Sequence, residues 1–359
     1  MFVSIGLRLR VEAEAMNMVE PLGAYTRHRT VYVLRRVQKK QGDLAIYKYR
    51  ALPVPAISGQ SVTNAYGRVL VDLAQLIWGE KAPICDECKN YHKRGGFTKR
   101  MDVNIPHDDR VKGCVVEDIT GFLAAVEITS KTEKAKKAES KREGQEVPRR
   151  TSALWFSYMV PDIDYGVGII ESQFHVQYNF ETQQHRPFTI ESGSAIYIQL
   201  LAIDVDQIGR LRTGYVNDRK ERIELAFKSL ITLYEGHVYG AKKSRYLPIS
   251  EILGGIATVS FEIPFMVSKP KMYYGSKTYI EDTVERAHMF VNALTSGSTL
   301  KNIEKLKLYI TYFDKEDVIK AKPTSKTKSI EIDDASSFSD MINKVLGRTI
   351  DSLEQKIPK

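Results

Sequence analysis

The sequence contains no long uninterrupted apolar segment. No run approaches the ~18–20 apolar residues that a membrane-spanning helix requires, and no charged and then apolar leader opens the chain. We therefore expect a soluble, cytoplasmic protein with no membrane partner. The apolar share of 43% and the aromatic share of 9% are those of a globular protein with a sizeable core.

Cysteine is scarce as well. The 359 residues include three cysteines, which cannot all pair and do not make a disulfide scaffold. Cys85 and Cys88 form a Cys-x-x-Cys pair, His92 follows, and His107 and Cys114 lie further on. A zinc knuckle uses thiolates and an imidazole at this kind of spacing, although the second half of the site is irregular. The candidate ligands of a structural zinc ion are Cys85, Cys88, His92 and Cys114. The alternative is a set of reduced thiols or a disulfide in a loop, and no other cofactor is indicated.

Signatures of the common enzyme classes are also missing. The sequence has no GxSxG, no HExxH, no P-loop and no dinucleotide fingerprint. We therefore expect a protein that is not an enzyme. The alternative is a metal-dependent RNA nuclease that uses either Asp118 or the pair Asp204 and Asp206, which would share a face near the end of a predicted strand.

Positive charge, in contrast, is in excess. The formal net charge is +9 at pH 7, which favours an anionic partner, with nucleic acid as the first choice. Residues 89–112 hold seven Lys or Arg against three Asp, and residues 127–150 hold eight Lys or Arg against five Glu. The alternative is a basic scaffold whose charged runs are only solvated loops.

The hydrophobic pattern predicts strands and helices in a definite order. Residues 3–12 alternate between apolar and polar side chains, which indicates a half-buried strand. Residues 13–30 are expected to be irregular, and residues 80–116 form a basic, Cys-containing insertion with little periodicity. The other predicted elements are a strand or hairpin over 31–50, a helix from Ser58 to Gly79, strands over 153–160, 173–180 and 195–205, a helix from Asp218 to Gly236, and a last strand over 256–263.

Without the strand or hairpin over 31–50, the predicted elements run strand, helix, strand, strand, helix, strand. This is the order of the ferredoxin-like (RRM-like) βαββαβ fold, and it places the chain in the α+β class. Two helices on one sheet face leave the other face free. Its polar side chains are expected to be Arg8, Arg10, Gln173, His175 and Gln177. A free face without aromatic residues favours contacts to RNA phosphate and 2′-hydroxyl groups, with little sequence preference.

The stretch "ISGQSVT" begins the first predicted helix with small or polar residues, Ser58–Ser61. The N–H groups at a helix N-terminus have no partner within the helix, and the helix dipole favours an anion there. We interpret this stretch as a phosphate-binding site. The alternative is that Ser58 only caps its helix by accepting from a backbone N–H.

Six short motifs follow one another along the chain, and their order is characteristic of a known family: "YTRHRT", "PAISGQSVTNAYG", "DITGFL", "PRRTS", "SQFHVQY" and "GAKKSRYLP". This set resembles the DevR-type CRISPR-associated autoregulator family of the RAMP superfamily, from about Phe2 to Phe265. Residues 80–116 and 266–359 add nothing to the resemblance.

The resemblance implies a non-catalytic backbone subunit of a type I-A Cascade complex. Its expected partners are the CRISPR guide RNA, target DNA through the guide, copies of itself in a helical filament, and other Cascade subunits. The implied organisation is one unit over 1–359, with a palm from 1–16, 52–79 and 153–265, a basic insertion at 80–116, a mobile thumb-like loop at 124–148, and a C-terminal extension at 266–359 that completes the fold.

The motifs also define the candidate RNA-binding residues. Small residues at the helix start, arginines that bind phosphate with two hydrogen bonds, and a histidine that bonds phosphate or ribose would together form a phosphate cradle. The predicted set is Arg27, His28, Arg29, Ser58, Gly59, Gln60, Ser61, Arg149, Arg150, His175, Lys242, Lys243 and Arg245. The alternative is that the arginines serve as surface charge or as ion pairs within the fold.

Overall fold

The computed structural model describes residues 1–22, 25–41, 44–94, 99–124, 147–166, 168–296, 306–319 and 322–356. The chain divides into two compact units. Unit 1 is Met1–Ala65, Trp155–Ile203 and Ile231–Lys359, and unit 2 is Tyr66–Leu154 and Asp204–Leu230.

Strands and helices are mixed along the chain. The strands are β1 Phe2–Glu14, β2 Met18–Leu22, β3 Tyr25–His28, β4 Thr30–Gln41, β5 Leu44–Pro55, β6 Phe122–Leu123, β7 Arg149–Arg150, β8 Leu154–Phe156, β9 Val160–Pro161, β10 Ile169–Asn179, β11 Gln184–Asp204, β12 Ile249–Ser260, β13 Tyr273–Tyr274, β14 Lys277–Thr278, β15 Leu308–Asp314 and β16 Ile330–Asp334. The α-helices are α1 Gly59–Trp78, α2 Asp86–Lys89, α3 His107–Gly113, α4 Val115–Thr120, α5 Arg219–Glu235, α6 Tyr279–Thr295 and α7 Phe338–Lys356.

The main sheet has ten strands, in the order β16-β15-β12-β1-β11-β3-β2, and β8, β9 and β10 also pair with β11. Strand β1 runs antiparallel to β12, with Phe2 opposite Ser260, and β12 runs antiparallel to β15. Because β1 lies between two long partners, its backbone is paired on both edges, and the alternating apolar residues of β1 fill the core. The mixed α and β architecture agrees with the predicted class.

The predicted free face is covered at β1. Its residues are buried from Phe2 to Leu9, on both sides of the strand. Ser4 donates to the Phe265 carbonyl, and a Cβ on Gly6 would lie 3.3 Å from Val267. Arg8 is 2% exposed. The expectation of an open face at Arg8 was therefore wrong, because residues 265–270 pack over polar positions whose partners local sequence cannot reveal.

Several local predictions are confirmed. Helix α1 follows Ser58, ends at Trp78, and is terminated by Gly79, whose φ of +58° suits a residue without a side chain. The hairpin expected over 31–50 is formed by β4 and β5, which pair only with each other in the part of the chain that the structure describes. These features depend on short-range patterns, which is why the sequence predicts them.

Other local predictions were wrong. Residues 13–30 contain β2 and β3 rather than irregular chain. In residues 80–116, for which the pattern predicted no elements, the structure has α2, α3 and the start of α4. Helix α2 has four residues and α3 has seven, too few turns to produce a visible apolar period. The thumb-like loop at 124–148 lies outside the described residues from 125 to 146.

The C-terminal extension belongs to the same sheet. Strands β15 and β16 extend it beyond β12, so the strand predicted over 256–263 is not the last one. Helix α6 begins with a capping box in which Thr278 and Glu281 bond each other's backbone N–H groups. Among the described residues, no helix has the length and apolar character needed to cross a membrane.

Candidate nucleic-acid interface

A four-residue stretch at the end of β1, residues 14–17, connects three of the family motifs in unit 1; we call it the junction segment. The carbonyl oxygen of its last residue accepts from Arg29 N at 2.9 Å, and the carbonyl before it accepts from Ala241 N at 3.1 Å. The Oδ1 of Asn17 accepts from Ser58 Oγ at 3.0 Å. The junction segment therefore brings "YTRHRT", the start of α1 and "GAKKSRYLP" together.

The carboxylate of Glu14 fixes this arrangement from inside. It is fully buried and lies 2.6 Å from His28 Nε2, 2.7 Å from the Tyr197 hydroxyl and 2.8 Å from Met16 N. Burial lowers the pKa of His28, but the hydrogen bond and charge of Glu14 raise it more, so the pKa lies above its usual value. His28, predicted as an RNA contact, is buried in this ion pair instead.

The His28–Glu14 pair predicts a pH-dependent stability. The pKa of His28 is raised by folding, so its contribution is fully present below the unfolded-state pKa of about 6.5 and is lost as pH rises through the folded-state pKa. We expect the free energy of unfolding to fall over that window in urea titrations at a series of pH values, and His28→Gln to flatten the profile. An unchanged profile in the variant would contradict the assignment.

The first turn of α1 is a capped helix start. Ser58 is buried and its Oγ accepts from Ser61 N at 3.2 Å, so the capping alternative is correct for its hydroxyl. A Cβ on Gly59 would lie 2.4 Å from the carbonyl oxygen of Phe156. Glycine is therefore required here by the close approach of β8, which corrects the interpretation that its small size serves a phosphate. Gln60 is exposed at the surface.

Two buried donors beside this helix start find no acceptor in the part of the chain that the structure describes. The Nδ2 of Asn17 and the Nε of Arg29 lack a hydrogen-bond partner among the described residues, although Asn17 is only 8% exposed. An unsatisfied buried donor costs about 1–3 kcal/mol. Arg29 N donates to the Asn17 carbonyl, and the Asn17 side chain bonds the Ser58 hydroxyl, so both residues are held close to the helix start. An anionic oxygen ligand would satisfy donors of this kind.

The motif "GAKKSRYLP" supplies exposed positive charge. Gly240 has a φ of +93°, and a Cβ there would lie 2.4 Å from Met16, so the loop approaches the junction segment closely. Lys242 and Arg245 are exposed, whereas the Lys243 ammonium group donates to the His237 carbonyl. Two of the three predicted cations of this loop therefore project from the surface.

His175 lies in a packed cluster rather than on an open face. Its ring stacks on Phe188 with the ring centroids 5.2 Å apart, and its Nε2 is 2.8 Å from the Tyr246 hydroxyl. The side of β10 with the exposed apolar residues is the opposite one, where Phe174 is 69% and Phe180 is 85% exposed. The prediction of an open position is therefore wrong for His175, whereas Gln173 and Gln177 on the same side of β10 are exposed as expected. Alternation alone cannot tell which position meets a neighbour.

Arg149 and Arg150 belong to unit 2. Arg149 is exposed, while Arg150 Nη2 donates to Asp118 Oδ1 at 2.6 Å. Asp118 Oδ2 accepts from Arg222 Nη1 at 3.0 Å and from Gly209 N at 2.9 Å. Burial raises the pKa of the Asp118 carboxyl, against the effect of the two guanidinium groups. Arg150 therefore forms an ion pair within the fold, which was the alternative to RNA binding.

The same geometry bears on the nuclease alternative. Asp118 is 0% exposed and both its oxygens are held by donors, so it presents no free carboxylate to a catalytic metal. Asp204 ends β11, whereas Asp206 lies in the 3₁₀ turn that follows, 3.6 Å from Arg219. The expectation that Asp204 and Asp206 share a strand face was wrong, because the strand ends between them.

The cysteines of unit 2 converge. The Sγ atoms of Cys85, Cys88 and Cys114 lie within 4.8 Å of one another, and all three residues are buried. His92, the fourth predicted ligand, is exposed and is not a member of this group. Thiolates are soft ligands, and a cluster of three of them suits a zinc ion.

Sequence reasoning missed the residues that organise the interface. Glu14 and Asn17 fall in none of the six motifs, and Tyr246 lies in "GAKKSRYLP" but was not among the predicted residues. Ala13 has a φ of +54°, which interrupts the alternation of β1 just before Glu14. Because the period breaks there, the pattern gave no signal that Glu14 faces the interior.

Two comparisons by sequence identify the family. A family model described as CRISPR-associated negative auto-regulator DevR/Csa2 matches residues 5–284. CRISPR-associated protein Cas7/Csa2 1 of Saccharolobus solfataricus is 26% identical over 339 residues, covering 88% of this chain and 93% of the relative. CRISPR-associated aCascade subunit Cas7/Csa2 2 of the same organism is 27% identical over 290 residues, covering 74% of this chain and 81% of the relative.

Solved structures of similar chains are described as parts of a CRISPR RNA-guided surveillance complex. One aligns with 97% of this chain and 100% of its own at a TM-score of 0.47 and 10% identity. Another, in a pre-nicking state, covers the same shares at a TM-score of 0.46 and 13% identity. The family match spans well over half of the chain and confirms the resemblance carried by the six motifs: this protein belongs to the CRISPR-associated DevR/Csa2 family.

Proposed function

We propose that this protein is a non-catalytic backbone subunit of a type I-A Cascade complex. Several copies bind along one guide RNA, beside other Cascade subunits, and hold the guide for pairing with target DNA. The observation that carries the proposal is the set of donors at the junction segment, where the unpartnered Asn17 Nδ2 and Arg29 Nε accompany the first turn of α1. The relative that is named as an aCascade subunit supports it.

The chemistry of this surface suits an RNA phosphate. The first N–H groups of a helix have no intrahelical partner and meet an anion favourably. Exposed guanidinium and ammonium groups of Arg27, Lys242 and Arg245 come from the segments that the junction segment joins. A site made of backbone donors and cations contacts the phosphate groups of the RNA and not the edges of its bases. The affinity is therefore largely independent of the RNA sequence.

We also propose that the palm is the ferredoxin-like unit of the family. The pairing order β12-β1-β11, with β8 and β9 on β11, supports it, because a βαββαβ chain places its fourth, first and third strands side by side. In the chain, α1 follows β1 and α5 precedes β12, as the two helices of that fold do.

Binding of single-stranded RNA tests the proposed function. Two RNAs of equal length and unrelated sequence, titrated with the full chain in gel-shift assays, are expected to bind with similar affinity. The affinity should fall steeply with salt, since each phosphate contact releases counterions. A strong preference for one sequence, or an affinity that does not respond to salt, would contradict backbone binding.

Gln60→Asp tests the helix start itself. The exposed Gln60 lies in the first turn of α1, where an added carboxylate stabilises the helix by about 0.3–1 kcal/mol but repels phosphate. We expect retained stability, weaker RNA binding, and a slope of log affinity on log salt that is less steep by about 0.7.

The matched control is Asn343→Asp, which makes the same charge change at an exposed position of α7 in unit 1. It should leave the slope unchanged. Equal losses of affinity in the two variants would mean that net charge alone drives binding, and would defeat a phosphate site at Gln60.

Incubation of labelled RNA with the protein and Mg²⁺ or Mn²⁺ separates the three functions. Retarded but intact RNA supports the backbone subunit, RNA fragments support the metal-dependent nuclease, and free RNA supports the basic scaffold. The buried, paired state of Asp118 leads us to expect intact RNA.

A further inference from the structure

Every cysteine of the chain lies in one buried cluster of unit 2. The protein has three cysteines in 359 residues, and the Sγ atoms of Cys85, Cys88 and Cys114 are all within 4.8 Å of one another. Two of them are close in sequence, but the third is contributed by a different segment. Three buried thiols rarely meet by chance in a chain with so few cysteines. Together they would supply three of the four ligands of a structural zinc site.

The local structure presents the thiols as a metal knuckle does. Cys85 is the residue before α2, and Cys88 is within that helix. Cys114 lies between α3 and α4 and is the residue before the second of these helices. The bond from Val115 N to the Pro83 carbonyl, 2.7 Å long, holds the two segments side by side. The cluster is therefore built by backbone structure and not by flexible side chains.

Positive charge lies next to the cluster. The charges of Lys99 and Arg100 interact with the cysteines, and the Lys99 ammonium also donates to the Thr120 carbonyl at 3.0 Å. Three thiolates around one divalent cation carry a net charge of about −1. Cations beside the cluster offset that charge, which makes burial of the assembled centre less costly.

We propose that Cys85, Cys88 and Cys114 bind one zinc ion as thiolates in a structural site of unit 2, and that His92 does not supply the fourth ligand. Binding exchanges three thiol protons for the metal, with no change in oxidation state. The ion ties the beginning and the end of the basic segment 89–113 to each other. This inference concerns the folding of that segment and does not depend on RNA binding.

The competing chemistry is a disulfide between two of the three cysteines. It would oxidise two thiols, leave one free, and bind no metal. A count of thiols together with a count of metal distinguishes the two states, because zinc binding leaves all three thiols reduced.

The test uses the full chain purified from zinc-supplemented cells. We expect about one zinc ion per chain by elemental analysis, and three reactive thiols after denaturation in the presence of a chelator. Cobalt substitution should produce the absorption bands of thiolate ligation. A wild-type protein without zinc, whether it carries three thiols or one disulfide, would overturn the proposal.

Variants identify the ligands. Cys88→Ser and Cys114→Ser are expected to lose the zinc and to melt several degrees lower. If either variant fails to fold, the zinc content of the wild-type protein still decides the question. His92→Ala is the matched control and should retain the zinc with an unchanged cobalt spectrum. Loss of the metal in His92→Ala would contradict the proposal that His92 is not a ligand.

Discussion

Replacing Asp118 by alanine is expected to lower the free energy of unfolding by about 3–5 kcal/mol. The carboxylate is buried between the guanidinium groups of Arg150 and Arg222, whose side chains are 4% and 1% exposed. Removing it leaves the buried Arg150 cation without its counter-charge and leaves Arg222 with Asp218 as its carboxylate partner. The Gly209 N–H loses its acceptor as well. Each of these groups was removed from water on folding, and without its partner nothing compensates for the free energy of that desolvation.

Urea denaturation measures the effect, and Asp109→Ala is the matched control. Asp109 is an exposed carboxylate in the first turn of α3, so its removal should cost less than about 1 kcal/mol. Equal stabilities of the two variants would contradict the structural role of Asp118. A stable Asp118→Ala protein that lost RNA cleavage would revive the nuclease alternative.

Gly59→Ala is expected to lower the free energy of unfolding by about 1–3 kcal/mol, although alanine is the better helix former. The reason is steric: the new Cβ would lie 2.4 Å from the backbone oxygen of Phe156 and 3.2 Å from the carbon of the same carbonyl. Either α1 or β8 must shift to relieve this contact. Gly59→Asp adds a carboxylate at the same crowded place and should cost more.

Thermal and urea melts of Gly59→Ala beside Gly347→Ala provide the measurement and its control. Gly347 lies in α7 with open space where a Cβ would be added, so alanine there should stabilise the protein by about 0.5–1 kcal/mol. A Gly59→Ala protein stabilised to the same extent would show that β8 does not constrain this position. RNA binding is better tested at Gln60, where a substitution meets solvent.

Short-range patterns determined much of this protein. The alternation of residues 3–12 predicts β1, the apolar spacing after Ser58 predicts α1 with its end at Gly79, and the hairpin of residues 31–50 is present. Side chains return to the same face every two residues in a strand and every 3.6 residues in a helix. These elements can therefore be predicted from neighbouring residues, without knowledge of the rest of the chain. The six motifs likewise predicted the family.

Only the tertiary structure decided which polar residues are exposed. Arg8 lies on the polar side of its strand, yet it bonds Asp162 at 2.5 Å and Glu316 at 2.7 Å in the interior of unit 1. His28 reaches Glu14, and Asp118 meets Arg222 across a separation of 104 residues. Local sequence shows that such a side chain is polar, but its burial depends on a partner that folding brings from elsewhere. The gathering of the three cysteines and the unpartnered donors of Asn17 and Arg29 follow from the same long-range packing.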